Sequence, residues 1–231
     1  MLQNIKVIGF DADDTLWANE PYFKELEEEF CQLLEEYLPK REVSEILFQT
    51  EVRNIELYGY GVKAFVLSLI ESSIKISNHN ISTQVIEKII ELGKKQLQKP
   101  VILLDGVQEV LEYLSAKNYK LIVATKGDLL DQERKLQKSG IEKYFHHIEI
   151  MSNKNPLDYR KLLNHLEIKP EEFAMIGNSL KSDITPVIDI GGKAIYVPFH
   201  TVWQHETLTL DEIEKESYLE IESISTICKF F

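Results

Sequence analysis

Lys6-Val7-Ile8-Gly9-Phe10-Asp11-Ala12-Asp13-Asp14-Thr15-Leu16-Trp17 is the stretch whose reading decides the fold. Its first part, Ile5 to Phe10, is a short apolar run rich in branched residues and reads as a buried strand rather than a helix. Three carboxylates and a threonine follow at once, where the chain would leave the sheet. That much negative charge at a buried strand end is costly unless a cation or hydrogen bonds compensate it. In an open α/β sheet the carboxyl ends of the strands are also where ligands bind. The plainer alternative is a turn capping a helix, because Asp and Thr both cap well; one N-cap, however, needs only one such residue.

Downstream of Trp17 the pattern changes. Phe23, Leu26, Phe30, Leu33, Leu34 and Tyr37 recur at helical spacing, with Glu27-Glu28-Glu29 and Glu35-Glu36 on the other face, and Pro39 is expected to end the helix. The acidic run reads as a solvated helix face, not a metal site. Further helices are expected from Val43 to about Tyr58, through Val62, Phe65, Leu69 and Ile74, and from Ser82 or Thr83 through Ile86, Ile90 and Leu97. Nothing between Ala18 and Lys99 reads as a strand. Hinges are expected near Asn19-Glu20-Pro21 and Lys99-Pro100.

From Pro100 the alternation of an α/β fold sets in. Gly106 introduces a helix carrying Val107, Val110, Leu111 and Leu114. A strand from Tyr119 to Ala124 ends at Thr125-Lys126-Gly127-Asp128, and a helix from Leu129 to Lys138 stops at Gly140. A strand from His147 to Met151 leads to Ser152-Asn153-Lys154 and a helix to about Leu166. Another, Phe173 to Ile176, leads to Gly177-Asn178-Ser179-Leu180-Lys181-Ser182-Asp183 and a helix to about Ile190. Ala194 to Val197 is a further strand, and in the tail from Thr207 a short strand is expected at Tyr218 to Ile221, before a closing helix or apolar tail at Ile224 to Phe231.

The fold class expected is therefore α/β: a Rossmann-like parallel sheet core, residues 1–17 and 100–231, with an all-helical insert, residues 18–99, after the first strand. The 231 residues suffice to bury roughly 70–75% of the unfolded surface. With 26 basic and 38 acidic residues, a net charge of −12, a nucleic-acid groove or an anionic membrane surface is not expected as the main partner. Cys31 and Cys228 form no metal or redox spacing, no apolar run approaches membrane-spanning length, and Asp11 to Asp14 interrupts a signal-peptide reading; a cytoplasmic protein is expected.

Four strands thus end in polar clusters, which parallel pairing would bring to one edge. Carboxylates with further oxygen ligands suit Mg²⁺, which keeps waters or a substrate phosphate as its other ligands. A carboxylate can also attack phosphorus and form an aspartyl-phosphate. A hydroxyl and an ammonium would then stabilise the phosphoryl oxygens.

Asp11-Ala12-Asp13-Asp14-Thr15, then Thr125, Lys154, and Gly177-Asn178-Ser179 with Asp183, resemble in order the four signature motifs of the haloacid dehalogenase-like hydrolase superfamily, in its phosphatase branch with a helical cap. The resemblance implies Asp11 as nucleophile and Asp13 as general acid/base, with the Asp13 carbonyl, Asp11, Asn178 and Asp183 at a Mg²⁺ site. It further implies that Thr125 and Lys154 hold the phosphoryl group of a small phosphorylated metabolite. Asn178 stands where many members carry Asp, so Asp183 is expected as the principal carboxylate ligand. Lys126, directly after Thr125, is a candidate for touching substrate, with an exposed lysine at a helix start as the alternative.

Taken singly, these residues have plainer readings. Thr125 and Asp128 are good helix caps, Lys154 an ordinary surface lysine, and Asp183 a helix N-terminal acid; their joint placement argues otherwise. The histidines, including His146-His147 and His200 with His205, lack zinc-ligand spacing. The stretch His200 to His205 is placed at the rim of the site, with Trp203 in packing, and Arg53 is expected in an ion pair. The expected activity is that of a Mg²⁺-dependent phosphatase. A phosphomutase or phosphotransferase on the same core and a non-catalytic phospho-ligand binding protein stay open. A dehalogenase has no use for Asp13 as an acid/base, and a receiver-type signalling domain does not accommodate an insert of roughly 80 residues.

Overall fold

The computed structural model describes residues 2, 4–207 and 217–231; the part of the tail at 208–216 lies outside the described residues. Strands β1 (Val7–Phe10), β2 (Lys120–Lys126), β3 (Phe145–Met151), β4 (Phe173–Gly177), β5 (Lys193–Tyr196) and β6 (Leu219–Glu220) form one sheet in the order β3-β2-β1-β4-β5-β6. Every pairing is parallel. Helices α1 (Glu20–Leu33), α2 (Lys40–Tyr58), α3 (Val62–Ile76) and α4 (Thr83–Gln98) follow β1. Helices α5 (Val107–Ala116), α6 (Leu129–Ser139), α7 (Pro156–His165) and α8 (Thr185–Asp189) alternate with the later strands. This is a Rossmann-like parallel core with an all-helical segment inserted after its first strand.

The chain divides into two compact units. One is Met1–Glu20 with Val101–Lys126 and Glu133–Phe231; the other is Pro21–Pro100 with Gly127–Gln132.

In the first unit the central strands are apolar throughout because both faces of the sheet are covered. Successive side chains point to opposite sides. Ile8, Phe10, Leu121 and Val123 pack with α5 and with Ile224 and Ile227 of the tail, whereas Val7, Ile122, Ala124 and Phe173 pack with Tyr159, Leu162 and Leu163 of α7. Gly106 enters α5 at φ +83°, a conformation that favours glycine. The tail beyond β6 is a 3₁₀ helix, Ile224–Lys229.

In the second unit the helices bury Leu26, Phe30, Val43, Leu47, Phe65, Leu69 and Ile89 together. Phe23 meets Phe65 edge to face at 5.2 Å, and Ser82 caps α4 through Val85 N–H. Helix α1 ends at Leu33, not at Pro39 as its periodicity predicts. Leu34–Leu38 instead turn back on themselves, with Tyr37 N–H donating to Leu34 C=O at 2.9 Å, and Pro39 stands before the first residue of α2.

Candidate active site

The β1–β2–β4 register sets the site. Phe10 lies opposite Val123 and Ile176, so the next residues, Asp11, Ala124-Thr125 and Gly177-Asn178, lie side by side at the carboxyl ends of the three strands. The loop after Asp11 is tied to one carbonyl: Thr15, Leu16 and Trp17 N–H all donate to Ala12 C=O at 2.8–3.3 Å. Asp14 takes φ +63° there, and its carboxylate accepts from Asn19 and Glu20 N–H at 2.8–3.1 Å, capping the start of α1. Burial pushes the Asp14 carboxyl up to about 7 despite those bonds.

Lys154 is the centre of charge. Its side chain is 1% exposed, and Nζ donates to Asp11 Oδ1 at 2.5 Å and to Asp183 Oδ1 at 2.6 Å. Burial works against the ammonium, yet the two carboxylates hold its pKa well above the usual lysine range. Asp11 is less well compensated. Burial raises its carboxyl to about 7, with Lys154 opposing and Asp183 adding to the rise.

The other oxygen of Asp183 accepts from Ser179 N–H at 3.0 Å. Gly177 is required here, because a Cβ at that position would fall on the Asp183 carboxylate. Thr15 Oγ1 lies 3.4 Å from Asp11 Oδ2 and 3.2 Å from Asn178 Oδ1, joining the first and last clusters. Asp11, Lys154, Asn178 and Asp183 are therefore brought together.

Asp13 and Lys126 lie in separate networks. Asp13 Oδ1 accepts from Trp17 Nε1 at 2.7 Å and from Lys135 Nζ at 2.6 Å, and Lys135 also donates to Asn19 Oδ1 at 3.1 Å. Lys126 pairs with Glu206 and donates to Ser182 Oγ at 2.9 Å. Its side chain is 13% exposed, so it is not an exposed surface lysine. Thr125 is buried at the end of β2, and its hydroxyl donates to Lys126 C=O at 3.2 Å. Asp128 caps α6 through Asp131 N–H at 3.2 Å and pairs with Lys63 at 2.7 Å. Arg53 pairs with Glu71 at 3.2 Å.

The turn after β4 is a wide one, Leu180–Ile184, rather than the start of a regular helix; α8 begins only at Thr185. Such widened turns recur at functional sites, and this one carries Asp183 inward. Tyr159 of α7 supports it, its hydroxyl donating to Ser182 C=O at 3.0 Å.

Lys135, Tyr159 and Glu206 do not stand out in the sequence. Lys135 sits in an amphipathic helix where lysine is ordinary, and Tyr159 reads as core. Glu206 directly follows the stretch His200 to His205 placed at the rim, which is the one signal that could have found it. Among the described residues no group of three or more His, Cys, Asp or Glu forms a ready-made metal cluster. The donor set around Asp11 and Asp183 nevertheless suits a hard cation: two carboxylates share a single ammonium, and an amide oxygen lies beside them.

Residues 5–191 match the family described as haloacid dehalogenase-like hydrolase. A haloacid dehalogenase-like family hydrolase from Xanthomonas campestris superposes with a TM-score of 0.87 at 36% identity, over 98% of this chain and 90% of that one. The L-2-haloacid dehalogenase of Xanthobacter autotrophicus, with chloropropionic acid covalently bound, shares the fold at a TM-score of 0.66 and 10% identity, over 98% of both chains. A glyceraldehyde 3-phosphate phosphatase from Pyrococcus furiosus is 26% identical over 99 residues, 41% of this chain and 41% of that protein's length.

Proposed function

Because the chain belongs to the haloacid dehalogenase-like hydrolase family, we propose that it is a Mg²⁺-dependent phosphatase acting on a small phosphorylated metabolite through an aspartyl-phosphate on Asp11. The observation that carries this reading is the buried Lys154 ammonium on both Asp11 and Asp183. Two buried carboxylates on one ammonium leave the cluster short of positive charge, which suits a hard cation that would also offset an incoming phosphoryl group.

In the first step Asp11 attacks phosphorus, a P–O bond forms to its carboxylate, and the P–O bond to the leaving group breaks. Asp13 gives its proton to the leaving oxygen. In the second step Asp13 takes a proton from water, which attacks phosphorus, and the bond to Asp11 breaks to release phosphate. Thr125 and Lys154 hold the phosphoryl oxygens through both steps. Lys126, directly beside Thr125, is the further candidate for contact with the phosphate. Asp11, Asp183, Asn178 and the Asp13 carbonyl are the oxygens that would hold Mg²⁺. When bound, the metal supplies positive charge to the phosphoryl group and its carboxylate neighbours.

Asp13 argues for phosphoryl transfer over dehalogenation. Halide needs no proton on leaving, yet this carboxylate is held in place by Lys135 and Trp17. A net charge of −12 favours a small substrate over a polyanionic partner. No helix among the described residues is long and apolar enough to cross a membrane. The helical insert, 18–99, is read as the cap that selects the substrate, and three-carbon phosphates belong in the first panel tried.

The test is phosphate release from p-nitrophenyl phosphate and an alkyl phosphate, with intact-protein mass measured in parallel. Wild type is expected to turn over with Mg²⁺ and not with EDTA, and Asp11→Asn to form no phosphoenzyme. Asp13→Asn is expected to lose roughly 10²–10⁴-fold on the alkyl ester, clearly less on p-nitrophenyl phosphate, and to accumulate phosphoenzyme with the latter. Phosphoenzyme in Asp11→Asn, full turnover in EDTA, or equal losses on both esters for Asp13→Asn would overturn the assignment.

A further inference from the structure

Glu206 stands outside the residues assigned above, yet it closes a ring of hydrogen bonds beside the site. One carboxylate oxygen receives Lys126 Nζ. The other receives Ser179 Oγ at 2.6 Å and Ser182 Oγ at 2.5 Å. Lys126 Nζ also donates to Ser182 Oγ at 2.9 Å, and Ser179 Oγ accepts from Ser182 N–H at 3.0 Å. The ring thus joins the end of β2, the turn after β4 and the segment after β5.

Proton inventory makes Glu206 the piece that cannot be exchanged. Each serine hydroxyl has one proton to donate. Ser182 Oγ already accepts from Lys126, and Ser179 Oγ already accepts from a backbone N–H. Both hydroxyl protons therefore point to the same carboxylate, which takes an ammonium as well. The Glu206 and Lys126 side chains are 15% and 13% exposed. Although burial opposes it, Lys126 and the two hydroxyls hold the Glu206 carboxyl down at about 2, so it stays ionised.

The two serines adjoin the residues that matter, Ser179 next to Asn178 and Ser182 next to Asp183. Ser179 N–H donates to Asp183 Oδ2 at 3.0 Å, and Ser182 precedes Asp183 in the wide turn. We propose that Glu206 is a positioning residue for the metal end of the site, holding through Ser179, Ser182 and Lys126 the turn that presents Asn178 and Asp183. This rests on the reading that those two residues hold Mg²⁺. Partners outside the ligand set that fix a ligand's orientation are worth 10- to 100-fold in metal affinity.

The test is calorimetric titration of Mg²⁺ without substrate, on wild type, Glu206→Gln, Lys126→Met and the double variant, with the half-saturating Mg²⁺ for p-nitrophenyl phosphate turnover beside it. Glutamine keeps the shape but offers one acceptor oxygen for three donors. Glu206→Gln is expected to weaken Mg²⁺ binding by about tenfold or more, with kcat recovered at saturating Mg²⁺. Lys126→Met is expected to weaken it less, and the double variant no more than Glu206→Gln alone, because the ring is already open. Glu206→Asp keeps the charge and should fall between wild type and Glu206→Gln; it carries the test if the glutamine variant does not fold. Unchanged Mg²⁺ affinity in a folded Glu206→Gln or Glu206→Asp, or additive losses in the double variant, overturns the proposal alone. Absence of Mg²⁺ binding in wild type overturns both it and the metal site on which it rests.

Discussion

The strand ends of the core and the helical insert both bury polar side chains, but of different kinds. At the strand ends charges are among them: Asp11, Asp14, Lys154 and Asp183 are each at most 7% exposed, beside the neutral Thr15, Thr125, Ser179 and Ser182. Between the inserted helices they are neutral: Thr50, Asn54, Ser68, Ser72 and Ser73. There Asn54 Nδ2 donates to Ser68 Oγ at 3.1 Å, and Thr50 and Ser68 return their protons to carbonyls four residues back. The charges of the insert stay near water, as in Lys40–Glu28, with side chains 65% and 63% exposed. Small neutral polar groups satisfied within their own helices are compatible with simple packing. Buried charges persist only where partners offset a large desolvation cost. Their concentration at the strand ends is therefore the feature that packing alone does not explain.

The contrast breaks most visibly at Lys154. Lys154→Met leaves Asp11 and Asp183 buried without their shared ammonium. Removing one member of a buried charge set costs on the order of 3–5 kcal/mol, and phosphatase activity should be lost as well. Lys40→Met, at the exposed pair of the insert, should leave the unfolding midpoint in urea unchanged. A similar shift for both would mean that burial does not separate the two kinds of charge.

How far the site was legible follows the same division. The strand-end acids declare themselves because each cluster directly follows an apolar run, and parallel pairing then puts them on one edge. Lys154 is legible only through its neighbours in order, since by itself it is an ordinary lysine after a strand. Lys135 was not legible at all: its partner Asp13 is 122 residues away, and nothing in the pattern of α6 distinguishes it from a solvated lysine. Glu206 lies in a segment without periodicity, where no face can be assigned. In the fold, the inserted helices were readable from their apolar spacing, and the misplaced end of α1 shows the limit of that signal. Leu34 continues the helical spacing, yet it is buried in the turn that precedes Pro39. The wide turn at Leu180–Ile184 falls in the polar stretch between β4 and the helix expected after Asp183, where no periodicity distinguishes one kind of turn from another.

Glu206 offers a finer test, because its charge can be removed by pH as well as by mutation. Its carboxyl is held at about 2, against an ordinary value of 4.5. Between those values the unfolded chain binds the proton and the folded one does not. The stability that Glu206 contributes is thus present above pH 4.5 and lost as pH falls towards 2. The difference in unfolding free energy between wild type and Glu206→Gln should be constant from about pH 7 to about pH 5 and shrink below that. Its charge-dependent part is on the order of 3 kcal/mol at the upper end. A difference that holds steady down to about pH 3 would show that the carboxylate's charge does not support the ring.

The smallest effect is expected in the insert, and it has the opposite sign. Ser72 is fully buried on α3, and its hydroxyl makes no hydrogen bond among the described residues. A buried hydroxyl without a partner loses its bonds to water and gains nothing in return. Alanine removes that penalty, is the better helix former, and takes away only one oxygen's volume. Ser72→Ala should therefore stabilise the protein by about 1 kcal/mol, raising Tm by roughly 2–4 °C in a chain of this size. Ser68→Ala is the control, since it removes the acceptor of Asn54 Nδ2, and it should lower Tm. The pair is decisive because both changes delete a serine hydroxyl from the same face of one helix, four residues apart. Only the satisfied hydroxyl should be missed. A loss of stability in Ser72→Ala would mean that its hydroxyl is bonded after all, and that the insert holds its polar groups as tightly as the strand ends hold theirs.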